Sequence, residues 1–121
     1  MQALAPLRPL IPRRFRGDMP VVPVIRLTGV IGFSTPLRPG LTLAGIARTL
    51  DRAFAMRNAP AVAVAINSPG GSPVQSHLIF RRIRELAQEK SRRVIAFVED
   101  AAASGGYMIA CAADEIIADP H

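Results

Sequence analysis

The sequence predicts an α/β layered fold, on three observations. Short β-branched or wholly apolar runs alternate with segments whose apolar residues recur at helical spacing. Two of the run-to-helix transitions pass through serine and glycine, and half of the 121 residues are hydrophobic, enough for one modest core. Alternation of this kind implies strands joined through helices by right-handed crossovers.

Taken in order, residues 1–20 hold Pro6, Pro9, Pro12 and Pro20 among Arg8, Arg13, Arg14 and Arg16. That composition opposes helix and sheet interior alike, so an extended arm is expected, able to lie on a neighbouring subunit. Residues 21–27 are rich in β-branched side chains and predict a strand, with Pro23 favouring its beginning or an edge. Residues 28–40, with Gly29, Gly32, Pro36, Pro39 and Gly40, read as a loop with a short extended piece at 30–33. Thr42 is a good N-cap for a helix whose inner face is Leu43, Ile46, Ala47, Leu50 and Phe54, ending near Arg57 and Asn58 ahead of Pro60.

Residues 61–66 are wholly apolar, as expected of a central parallel strand covered on both faces. Residues 74–89 place Leu78, Ile79, Ile83 and Leu86 at helical spacing, residues 93–98 read as a strand, and the small, apolar stretch 104–113 suits a buried helix. Residues 115–118 are expected to form one more strand.

Composition narrows the function classes. The net charge of +6 is dispersed and accompanied by one tyrosine and no tryptophan, which argues against nucleic acid. No apolar run reaches the length of a membrane span, and the basic, proline-rich start lacks the apolar block of a secretory signal, so a soluble cytoplasmic protein is expected. Arg13, Arg14 and Arg16 offer a short basic cluster able to touch anionic lipid headgroups. The single Cys111 has no intramolecular disulfide partner and is expected to be a buried small hydrophobe.

The chemistry resides in two strand-to-helix turns, Asn67, Ser68, Pro69, Gly70, Gly71, Ser72 and Ala102, Ala103, Ser104, Gly105, Gly106, Tyr107. Acyl transfer needs a nucleophile, a base and N–H donors aimed at the oxyanion. Ser104, unshielded among alanines and glycines at a helix start, suits the first role, and the N–H groups of Gly105 and Gly70 suit the last. A lone Pro-Gly-Gly turn is more often a plain connection. For Ser68, Ser72 and Ser76, side-chain capping of the turn and helix start is expected, and Tyr107 is expected to pack beside the site.

Together the two segments resemble the paired signature of the S49 peptidases, the signal peptide peptidase A family, within the Clp protease and crotonase superfamily, over roughly residues 21–120. The resemblance implies a Clp protease/crotonase-like layered fold of repeated strand-strand-helix units, of which residues 21–121 would be the N-terminal part of the peptidase domain. It implies Ser104 as nucleophile, Gly70 and Gly105 as the oxyanion hole, and Gly71 and Gly106 as support for the turns. It implies no metal or cofactor, signal-peptide-like or unfolded peptides as substrates, and a homo-oligomer. The family's base is a lysine well beyond the nucleophile, whereas only seventeen residues follow Ser104 here. Lys90, the sole lysine, is expected to be a solvated cation at a helix end, His77 a surface or groove residue, and His121 not the base. The 121 residues alone are therefore expected to lack hydrolysis. Two other classes fit parts of the pattern: a non-catalytic assembly subunit of the same fold, and a crotonase-like acyl-CoA enzyme whose paired N–H groups polarise a thioester.

Overall fold

The computed structural model describes residues 19–32, 35–102 and 104–118; the expected arm, apart from Met19 and Pro20, lies outside them, as does His121. Strand and helix alternate as β1 (Val24–Thr28), α1 (Leu43–Ala55), β2 (Ala61–Ser68), α2 (Pro73–Lys90), β3 (Arg93–Ala102), α3 (Gly105–Ala110) and β4 (Glu115–Ala118). The strands pair in parallel in the order β1-β2-β3-β4. This is the α/β layering expected from the sequence.

Each boundary has a local cause. Pro23 stands immediately before β1, and its carbonyl accepts from Ala63 N–H at 2.9 Å, so the residue without an N–H sits where only an acceptor is required. β1 ends the strand order, and its exposed Val24, Arg26 and Thr28 alternate with Ile25 and Leu27 buried toward the helices. Thr42 caps α1, its hydroxyl accepting from Gly45 N–H at 3.0 Å. The helix closes at Met56, slightly before the expected Arg57, and Asn58 carries the left-handed turn at φ 57°, a conformation asparagine tolerates. Ser72 caps α2 by accepting from Gln75 N–H, with Pro73 in the first turn, where its missing donor costs nothing.

The core is built from one face of the sheet. Ile25 and Leu27 of β1, Val62, Val64 and Ile66 of β2, and Val94 and Ala96 of β3 point the same way and join Leu50 and Phe54 of α1, Ile79, Ile83 and Leu86 of α2, and Ile109 and Ala110 of α3. A sheet with sequential parallel order and crossovers of one hand puts its helices on a single side.

The expectation that both faces of β2 are layered is therefore met on one face only among the described residues. Ala61, Ala63 and Ala65 point to the other face and are still buried. Their methyl groups lie low between larger neighbours: Ala63 pairs with Val24 and Ile95, Ala65 with Arg26 and Phe97. Val24, Phe97 and Ile117 leave an apolar surface there, spanned at one end by the Arg26–Glu99 ion pair of 3.0 Å.

Two expectations change at the C-terminal side of the chain, the extent of a helix and the burial of Cys111. α3 is shorter than residues 104–113 and buried on one side only: Gly105, Gly106, Ile109 and Ala110 face inward, while Tyr107, Met108 and Cys111 are exposed. Cys111 is thus not the buried hydrophobe expected, because it lies one helical turn after Tyr107 on the outer side. Asp114 then ties the chain back to β3, its N–H donating to the Val94 carbonyl and its carboxylate accepting Val94 N–H, both at 2.8 Å.

Candidate active site

The two turns lie at the ends of adjacent central strands, β2 and β3, and they touch. Ser68 pairs with Ala102, and a Cβ added to Gly106 would stand 2.8 Å from the Ser68 carbonyl oxygen, so only glycine lets the start of α3 settle against the first turn. A Cβ at Gly105 would collide with Ser76 Oγ, which places α2 beside the same spot. Ser104, Gly70, Gly71, Gly105 and Gly106 are therefore gathered at one end of the sheet, where parallel α/β sheets present sites.

Ser104 has φ 51° and ψ −113°, in the left-handed half of the map that L-residues avoid. It is exposed, and its side chain makes no capping bond to α3, so the hydroxyl is not used by the helix it precedes. An exposed serine on a strained strand-to-helix turn is the arrangement of a nucleophile elbow. Strain of this kind costs roughly 1–3 kcal/mol and persists only where the surrounding structure enforces it. Ser104→Gly is accordingly expected to raise unfolding stability by about 1 kcal/mol in urea denaturation, relief of strain exceeding the added freedom of the unfolded glycine. An unchanged or lower midpoint would show that the conformation is relaxed.

The first turn is shaped by Ile31, a residue that no motif singles out. Its N–H donates to the Gly70 carbonyl at 2.9 Å and its carbonyl accepts Ser72 N–H at 2.8 Å, so the loop after β1 is stitched to the glycines. Of the short extended piece expected at 30–33, Phe33 lies outside the described residues, and Ile31 forms this stitch with isolated bridges to Leu41 and to Gly71. Gly71 has φ 148°, and a Cβ there would overlap the Ile31 carbonyl. The expected serine caps are present: Ser68 Oγ accepts Gly70 N–H, Ser72 Oγ accepts Gln75 N–H, and Ser76 Oγ donates to the Ser72 carbonyl. Beside the turn lies a cleft of about 450 Å³ lined by Gly29, Val30, Thr35, Leu37, Arg38, Pro39 and Gly40, joined to it by Gly29 N–H on the Asn67 carbonyl.

Known proteins share this region. A family model described as peptidase family S49 matches residues 86–121, the span holding the Ser104 turn. The chain is 48% identical over 59 residues to "Serine protease SPPA, chloroplastic" of Arabidopsis thaliana, covering 49% of this chain and 8% of that protein. It is 45% identical over 76 residues to "Protease 4" of Haemophilus influenzae, covering 63% of this chain and 12% of that one. The chain thus matches peptidase family S49 over residues 86–121. Its α/β layering is accordingly that of the Clp protease and crotonase-like fold.

A protein of Brucella melitensis biotype 1 named "Na(+)/H(+) antiporter NhaA" is 63% identical over 115 residues, 94% of this chain. The match covers 16% of that protein, and the chain spans between 8% and 16% of the length of these three relatives. Among the described residues no helix is long and apolar enough to cross a membrane.

Among the described residues, the side chains considered as bases occupy different parts of α2. Lys90 is exposed at the last position of α2, eighteen residues and so roughly 26 Å along the axis from the helix end that meets the turns. His77 is exposed on α2. Tyr107 projects from the outer side of α3, more than half exposed, next to the turn it follows.

Proposed function

We propose that this chain carries the nucleophile and oxyanion hole of a serine endopeptidase of the signal peptide peptidase A type. Ser104 Oγ attacks the scissile carbonyl and passes its proton to a lysine supplied by sequence outside these 121 residues. The N–H groups of Gly70 and Gly105 receive the negative charge that develops on the carbonyl oxygen. Collapse expels the amine and leaves an acyl-serine, which water then hydrolyses. Gly106 keeps the two turns in contact, and Gly71 lets the first turn close on Ile31.

The observation that carries this reading is the strained, exposed Ser104 at the start of a helix whose Gly106 settles on Ser68 of the adjacent glycine turn. The cleft walled by Val30, Leu37 and Pro39 suits an apolar side chain of an extended, signal-peptide-like or unfolded peptide. Residues 21–121 form the N-terminal part of the domain, and the working form is a cytoplasmic homo-oligomer, with the N-terminal arginines able to rest on a membrane surface. Incubated with a fluorophosphonate probe, the full-length protein is expected to carry the adduct on Ser104 when its peptides are mapped by mass spectrometry. An adduct on Ser68, Ser72 or Ser76 would move the nucleophile elsewhere, and no adduct at all would favour a non-catalytic assembly subunit.

A further inference from the structure

One of the proposed oxyanion donors is already engaged. Gly70 N–H donates to Ser68 Oγ at 3.1 Å, and Ser68 is completely buried at the end of β2, against the place where Gly106 lets α3 approach. The bond therefore sits between the two turns, inside the protein, and not toward a ligand.

The rest of the turn leaves that amide free to be reassigned. The Gly70 carbonyl is held by Ile31 N–H and Ser72 N–H by the Ile31 carbonyl, which anchors the peptide units on the far side of Gly70. The N–H in question belongs to the preceding Pro69–Gly70 unit, whose carbonyl accepts no backbone bond among the described residues and whose proline is exposed. Gly70, at φ 102°, has no Cβ to oppose reorientation. Turning this one unit gives up a single hydrogen bond, the one to Ser68.

We propose that Ser68 is a latch on the oxyanion donor: its hydroxyl holds the Gly70 N–H in the resting protein and yields it to the developing oxyanion. The inference rests on the peptidase reading above. Its physical basis is a difference in acceptor strength. A neutral substrate carbonyl and a neutral hydroxyl are comparable acceptors, so exchanging one for the other gains little. An oxyanion forms a charge-assisted bond about twice as strong, so the exchange becomes favourable as charge develops. Binding energy is thereby kept for the transition state. Ser68 is a positioning residue, acting through Gly70.

The test compares a peptide aldehyde with its reduced-bond analogue, which has a methylene in place of the carbonyl, on the full-length protein. Ser68→Ala removes the acceptor and Ser68→Cys replaces it with a weak one of similar volume. Each variant, once its melting curve shows a folded protein, is expected to bind the aldehyde roughly three- to tenfold more tightly, with the reduced analogue unchanged. KM for a cleaved peptide is expected to fall by a similar factor, kcat staying level. Aldehyde binding that is unchanged or weaker in the folded variants, or a parallel shift of both ligands, overturns the latch and leaves Ser68 as a structural cap. Ser104→Ala separates the two ideas, since an aldehyde preference that survives it removes the nucleophile assignment and leaves the Ser68 comparison standing.

Discussion

Alanine at position 104 is expected to lower peptide hydrolysis by the full-length protein by a factor on the order of 10⁴ or more, with little change in stability. The first half follows from the role: without the hydroxyl no acyl-enzyme forms, and the N–H donors alone retain only residual rate enhancement. The second half follows from the structure, in which Ser104 is exposed and its side chain caps nothing. Substitutions at such positions stay within about 0.5 kcal/mol. A fluorogenic peptide assay run beside a urea titration measures both. Activity within tenfold of the native protein would exclude Ser104 as nucleophile, and a collapse of stability would show that the residue serves the fold.

Gly71→Ala is expected to act in the opposite sense, through the fold. The new Cβ would overlap the Ile31 carbonyl at a backbone angle that L-residues rarely adopt. Strain and overpacking together are expected to cost about 3 kcal/mol or more, a large part of a small domain's stability. Relief requires the Ile31 stitch to open, and that stitch also positions Gly70 and Ser72. The same variant should therefore lose serine-probe labelling even at temperatures where far-ultraviolet circular dichroism shows native helix. A denaturation midpoint within error of the native protein would mean that the turn relaxes freely and that Ile31 does not define it.

Much of this was legible along the chain because its determinants are local. Thr42 and Ser72 are caps by residue type and position, and both accept the expected helix-start amides. The wholly apolar run of β2 announced a central strand, and the inward faces of α1 and α2 follow from helical spacing. The two serine-glycine turns were visible as motifs because tight strand-to-helix turns demand small residues.

Other features depend on neighbours distant in sequence. Cys111 reads as apolar and buried by type, yet its place on the outer side of a short helix exposes it. The helices cover one sheet face, so the alanines of β2 are shielded by flanking side chains where a second layer was expected. Ile31 gives no signal of its own beyond being apolar between Gly29 and Gly32, although it holds the first turn together.

Periodicity, caps and turn residues, all interactions within a few positions of the chain, determined the order of strands and helices and singled out Ser104 and the glycines. What only the tertiary structure decided is how those turns meet: Gly106 seated on Ser68, Ile31 pinning Gly70, and the Gly70 amide turned onto a buried hydroxyl. The physical reason is that hydrogen bonds and steric contacts between segments tens of residues apart exist only after parallel pairing of β1, β2 and β3 brings their ends together.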